Sequence, residues 1–259
     1  MILGVQSKAK EIRALRGWNQ RCYQNADGSR TYVVRGKRWH HQVQGQWLSN
    51  AEIAARGIVL PLTDYYGETP DGEISGGSAV YNNARATDTA SVDDGATARI
   101  GQKLDGTYTV MRLYFSFDTS GVEDEWSVDT AIFYAKAYTD LSAQDFNVQL
   151  YRYAWAETLA DNRAADYDGA YGSGVLEGTF RNTADGWVSG TYYSLAVAGD
   201  GIVKTGDTKY AMVSSRDVAG TAPDADTEYV YVYMADSAGT ASDPYLVITV
   251  SPPGMAIMF

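Results

Sequence analysis

The chain has one cysteine, Cys22, and two histidines, His40 and His41, in 259 residues. A single thiol excludes an intramolecular disulfide framework, and Cys22 reads as a small packed thiol. Neighbouring residues on a strand point to opposite faces, so His40 and His41 cannot easily share one metal ion, and no third ligand stands at a sensible spacing. Both lie near the N-terminus, which excludes a histidine-dependent triad farther along. Proline is scarce, at six residues. No apolar run approaches the length of a membrane span, and Met1-Ile-Leu-Gly-Val lacks the basic head and long apolar stretch of a signal peptide, so a soluble, unprocessed chain is expected. Gly-x-Ser-x-Gly, His-Glu-x-x-His and phosphate-loop motifs are absent.

Tyrosine, at 20, and glycine, at 26, are plentiful, a mixture that favours strands and turns over a helical bundle. The organising stretch is Val110 to Asp118. Met111, Leu113, Phe115 and Phe117 alternate with Arg112, Tyr114 and Ser116, the period of a strand with one face in a core. After the turn Asp118-Thr-Ser-Gly121, a second strand is expected over Thr130–Tyr138. Further strand candidates are Ala79–Tyr81, Ala84–Val92, Ala98–Ile100, Phe146–Tyr153, Val175–Phe180, Thr191–Val197, Tyr210–Ser214, Glu228–Met234 and Tyr245–Val250. Asp-Gly turns such as Asp105-Gly106 and Asp185-Gly186 stand between many of them. Short strands at this spacing, without intervening helical patterns, indicate an all-β fold: an antiparallel, jelly-roll-like β-sandwich. The size suits one such domain with a smaller module beside it.

Charge divides the chain. Residues 1–56 hold ten basic against three acidic residues, whereas the remaining 203 hold eleven basic against 29 acidic, within a net charge of −11. A basic segment that docks onto an acidic surface, joined to an acidic and well-solvated body, is the expected organisation. The spacing predicts a short helix over Ser7–Arg16, then a hairpin-like unit through Arg21–Gln24, Thr31–Val34, Lys37–Val43 and Gln46–Leu48. This gives a basic N-terminal anchor at 1–56, a linker at 57–78, the sandwich at 79–251 and a tail at 252–259. The candidate docking residues are Arg13, Arg16, Trp18, Arg21, Arg35, Lys37, Arg38, Trp39 and Trp47. Basic residues interleaved with aromatics also suit nucleic acid, through phosphate contacts and base stacking, but no nucleic-acid fold motif accompanies them. A basic face that docks on protein is the preferred reading.

The order of features resembles the DNRLRE-type domain, a jelly-roll sandwich akin to carbohydrate-binding modules, in the form found in structural proteins of tailed bacteriophages. The resemblance runs through Arg112-Leu-Tyr-Phe-Ser-Phe-Asp118, Val128–Tyr134, Val148–Tyr153 with Trp155, Tyr192–Leu195, Ile202–Gly206 and the closing Gly239–Val250. It implies a virion location and a non-enzymatic structural protein: the basic module bound to capsid, neck or tail, the sandwich displayed outside as decoration or fibre. The implied partners are other virion proteins and copies of the chain itself, with a trimer by analogy. The alternative is a carbohydrate- or receptor-binding adhesin module that meets host glycans through Trp126, Trp155 or Trp187. A further alternative is a virion protein that contacts DNA through the basic N-terminus.

Tyr229, Tyr231 and Tyr233 fall on one face of their strand and Val230, Val232 and Met234 on the other. The tyrosines there suit a structural sheet face or a surface for sugar or a neighbouring subunit. The acids Glu123-Asp-Glu125 and Asp93-Asp94 sit in expected turns as solvated charge, not as a glycosidase pair. Asp161, Asp166 and Asp168 offer oxygen atoms but not the spacing of a calcium loop. No catalytic residue, cofactor, metal or membrane contact is expected.

Overall fold

The computed structural model describes residues 19–24, 30–35, 41–43, 46–48, 63–68, 71–86, 91–93, 95–156, 163–224, 227–235 and 240–251. Four short strands come first: β1 (Asn19–Gln24), β2 (Arg30–Arg35), β3 (His41–Val43) and β4 (Gln46–Leu48). They pair in chain order into a sheet of their own. The expected Ser7–Arg16 helix and the 252–259 tail lie outside the described residues.

Twelve further strands form the body, every pairing antiparallel. They are β5 (Thr63–Tyr66), β6 (Gly72–Ser78), β7 (Ser91–Asp93), β8 (Thr97–Asp105), β9 (Thr107–Asp118), β10 (Ser127–Ser142), β11 (Asn147–Arg152), β12 (Val175–Asn182), β13 (Tyr192–Val197), β14 (Asp207–Ser214), β15 (Glu228–Tyr233) and β16 (Tyr245–Ser251). The sixteen-residue β10 ties the body together. Its first half lies between β13 and β16, with β5 beyond β16. Its second half pairs with β15, which leads through β8, β9, β14 and β11 to β12. One curled sheet thus folds into two facing layers. The all-β antiparallel expectation holds for the body.

The core between the layers follows from strand alternation. Ala131, Phe133 and Ala135 of β10 and Leu246 and Ile248 of β16 face Leu113, Phe115 and Phe117 of β9, Tyr210 and Met212 of β14, and Val230 and Val232 of β15. Phe133 stands at the centre, with the rings of Phe115, Phe180, Tyr210 and Phe117 at 5.2, 5.6, 5.6 and 5.8 Å, all edge-to-face. That geometry sets ring edges against ring faces, the favourable quadrupole arrangement.

β9 departs from the one-faced strand that its alternation suggests, because Val110 through Phe117 are all buried. Three short helices cover its outer face: α1 (Tyr81–Arg85), α2 (Arg163–Gly172) and α3 (Ser215–Val218). There Ile74, Tyr81, Ala84, Val110, Tyr114, Tyr151, Trp155, Tyr167 and Val213 form a second core. A polar residue in the sequence alternation of β9 is therefore not a solvated one.

Two segments differ from expectation. The stretch 57–78, expected as a linker, carries β5 and β6 at its C-terminal end, paired to β16 and β9. Glycine and charge disguise β6, yet Glu73 is fully buried and takes both Nε and Nη2 of Arg99 at 3.0 and 2.7 Å. The strands expected at Ala79–Tyr81 and Ala84–Val92 give way to α1 and the short β7.

Candidate binding surface

The outer face of the β5–β16–β10–β13 layer carries a continuous row of tyrosines. Register sets it out: Tyr66 stands opposite Tyr245, and Tyr245 opposite Tyr134, while Lys136 is opposite Tyr192. The rings of Tyr134 and Tyr245 stack at 4.6 Å, and Tyr66 and Tyr192 meet Tyr245 at 5.7 and 5.2 Å. The Lys136 ammonium lies 5.4 Å from the Tyr192 ring and 5.4 Å from that of Tyr233, joining this group to the next.

The row continues onto the other layer at an irregularity in β10. Ala137 pairs with Val232 and Thr139 with Tyr231, which makes Tyr138 the extra residue of a bulge. Its ring sits 5.1 Å from Tyr233 and 6.0 Å from Tyr231, and Tyr229 follows at 5.7 Å. Tyr66 and Tyr138 are 39% and 41% exposed and the other six tyrosines are half-buried. Together the eight rings expose on the order of 400 Å² of aromatic surface, within the range of the largest patch on a typical monomer.

Hydrogen bonds and burial hold the centre of the row. The Tyr192 hydroxyl donates to the carbonyls of Asp243 at 3.0 Å and Ala241 at 3.3 Å. Burial, then Tyr245, Asp243 and Tyr66, push its pKa up to about 12. Burial also raises Tyr245, helped by Tyr134, Asp64 and Tyr66. The Lys136 ammonium donates to the Ala241 carbonyl at 3.0 Å and to Ser242 Oγ at 3.1 Å.

Behind β9 lies a different polar assembly. Arg112, fully buried, donates from Nε and Nη2 to the two Asp217 carboxylate oxygens at 2.7 and 3.1 Å, from Nη2 to the Arg85 carbonyl at 3.0 Å and from Nη1 to the Tyr167 carbonyl. Its guanidinium lies 3.8 Å from the Tyr167 ring centroid. Arg85 Nε reaches Asp217 Oδ1 at 3.0 Å. Burial alone would lower the Arg112 pKa, but Asp217 and Tyr167 outweigh it and hold the group above the ordinary arginine value. Beside it, Tyr81 donates to Gln102, which donates to Glu228 and to the Thr221 carbonyl. These contacts clamp α1 and α3 to the sheet, a structural task.

The three tryptophans named from sequence are buried: Trp126 at 4%, Trp155 at 3% and Trp187 at 6% exposure. Trp155 packs edge-on to Tyr114 and donates to the Phe115 carbonyl at 3.3 Å, while Trp187 packs against Phe180 and donates to the Tyr231 carbonyl at 3.0 Å. The rings of Trp155 and Trp187 meet the chain's own side chains, and all three tryptophans are covered in the described structure. Of the docking residues, Arg13, Arg16, Trp18, Lys37, Arg38 and Trp39 lie outside the described residues; Arg21, Arg35 and Trp47 fall on β1, β2 and β4. Asp161 is outside as well, and Asp166 stands on α2, not in a loop, accepting from the Ala156 N–H at 3.1 and 3.2 Å.

Sequence reading singled out Tyr229, Tyr231 and Tyr233 but not the rest of the row. The alternation Tyr134, Lys136, Tyr138 carried the signal, and only strand pairing shows that it joins Tyr66, Tyr192 and Tyr245. No protein-family model matches the chain, and no curated protein matches it.

Proposed function

We propose that the chain is a non-enzymatic structural protein of a tailed-bacteriophage virion, with residues 1–56 as a basic anchor on capsid, neck or tail and the acidic β-sandwich as its displayed part. The observation that supports this most is the burial of β9 on both faces, with Arg112 clamped between the sheet and three helices. A body packed in this way is stiff and offers proteases little accessible backbone. Its role is mechanical and adhesive. The split between basic anchor and acidic body, and the sequence resemblance described above, support the same reading. Mass spectrometry of gradient-purified particles tests it. A fixed copy number per particle, with antibody against residues 79–251 labelling the exterior in electron micrographs, is the expected result; absence from the particle sinks it.

A second reading, a carbohydrate- or receptor-binding module, draws support from the half-exposed tyrosine row, not from the buried tryptophans. Glycan-array binding by the full chain that is lost on Tyr138→Ala would favour it.

A further inference from the structure

The tyrosine face holds a pair of opposite charges in a particular arrangement. Asp64 stands opposite Val247, and Val247 opposite Ile132, so Asp64 and Ile132 share a row across β5, β16 and β10. Lys136 lies four residues along β10 from Ile132 and on the same face. With a rise of about 3.3 Å per residue and strands about 4.8 Å apart, Asp64 and Lys136 are separated by roughly 13 Å along the strands and about 10 Å across them. The midpoint of that diagonal is the β16 position opposite Tyr134, which is Tyr245. Tyr245 is also the hub of the aromatic row, touching Tyr66, Tyr134 and Tyr192. Asp64 is exposed, and among the described residues no group hydrogen-bonds or ion-pairs with its carboxylate.

We propose that this face joins two copies of the chain about a two-fold axis that passes close to Tyr245. A two-fold contact presents the same patch from both sides, so every residue meets the patch reflected through the axis. Here the axis places Lys136 of each copy against Asp64 of the other, giving two ion pairs that flank a centre of tyrosines. Along the diagonal between those charges the described residues are Val247, Ile132, Tyr134, Tyr245 and Tyr66, none of them Asp, Glu, Lys or Arg, and the nearby Asp243 is buried at 5% exposure. An acidic body can therefore bring two of these patches together without meeting like charge at their centre. Aromatic rings held by their neighbours lose little conformational freedom on contact, which suits a protein interface.

The ring geometry also argues against a sugar as the occupant. Stacking a sugar needs a free ring face, whereas Tyr134 and Tyr245 cover each other at an interplanar angle of 8°. The Tyr192–Tyr245, Tyr138–Tyr231, Tyr138–Tyr233 and Tyr229–Tyr231 pairs likewise set an edge against a face. The inference rests on this face alone and stands whether or not the protein belongs to a virion.

Charge exchange in the full chain tests it. Sedimentation velocity across micromolar concentrations is expected to show self-association that Lys136→Glu and Asp64→Lys each weaken at least tenfold, because each sets two like-charge contacts beside the axis. The double exchange restores opposite charges and is expected to recover association to within about threefold of the natural chain. Thermal melts separate this from misfolding, since Lys136 also holds the Ala241 and Ser242 loop. Crosslinking supplies a second readout that needs neither charge variant: on a Cys22→Ser background, Tyr245→Cys is expected to join two chains through a short bis-maleimide, and Tyr229→Cys, at the far end of the row, is not. A monomer throughout the range overturns the proposal. So does association that neither charge exchange alters, a double exchange that fails to recover, or equal crosslinking at both positions. Glycan binding lost in these variants, with no self-association in the natural chain, overturns it in favour of a ligand surface.

Discussion

Arg112 and Asp217 meet through two hydrogen bonds, at 2.7 and 3.1 Å, where the side chains are 0% and 1% exposed. The pair spans 105 residues of sequence and fastens α3 to the middle of β9. In the same place Arg85 Nε adds a third bond to the carboxylate, at 3.0 Å.

Truncating either partner leaves the other with part of its pairing. Arg112→Met leaves Asp217 with Arg85 alone, and Asp217→Leu leaves two guanidinium groups facing each other around an apolar side chain. Each is expected to cost about 3–5 kcal/mol, whereas replacing a buried pair together is often close to neutral. The double variant should therefore be markedly more stable than the sum of the single losses. Urea unfolding of the four proteins checks this, and strict additivity would show that the two residues act separately.

Alkali should unfold the protein in a defined window. An unfolded tyrosine loses its proton near pH 10. In the folded chain burial pushes Tyr65, aided by Asp118, and Tyr192 up to about 12, and burial also raises Tyr81, Tyr114 and Tyr210. Above pH 10 the unfolded chain binds fewer protons than the native one, so stability falls with rising pH until the folded groups ionise as well. The expected outcome is full stability below pH 10, a steep loss from about pH 10 to 12, and a late step of tyrosinate absorbance, from the buried rings, that rises together with the loss of circular dichroism. Ionisation of all 20 tyrosines in a chain that stays folded would contradict the burial.

Gly101 has φ +131°, a region that L side chains rarely adopt. A Cβ there would lie 2.3 Å from the Glu228 carbonyl oxygen and 2.7 Å from Tyr229 Cα, both backbone atoms that cannot swing away. The same residue lets β8 change faces, since Ile100 belongs to the core between the layers while Gln102 bonds to Tyr81 in the outer one. Gly101→Ala is expected to lower stability by about 2–4 kcal/mol and to be visible as a depressed melting temperature. Gly106, where a Cβ meets nothing within 4 Å although φ is +67°, makes the milder comparison.

Strands with one apolar face were legible because their pattern has period two. Val148 and Leu150, Val230 and Val232, and Leu246 and Ile248 all point where alternation puts them. What escaped were elements whose partners lie far away in sequence. The Arg112, Tyr114, Ser116 side of β9 reads as a polar face until α2 and α3, some 50 and 100 residues later, are laid over it. The Gly-rich β6 has no apolar alternation because its buried Glu73 is balanced by Arg99. The tyrosine row is partly readable along β15 and β10, but its centre at Tyr245 is a product of register between three strands, and register is not written in any one of them.

The sharing of β10 by both layers has a consequence for how the protein comes apart. In a sandwich of two separate sheets, one can peel from the other while keeping its own ladder intact. Here the residues from Ala131 to Lys136 and those from Ala137 to Ser142 are successive stretches of one strand, bonded to different neighbours. The layers cannot part without bending the one strand that runs through both. The two halves of the body therefore gain and lose protection against solvent exchange together, and β10 holds the amide hydrogens that leave last.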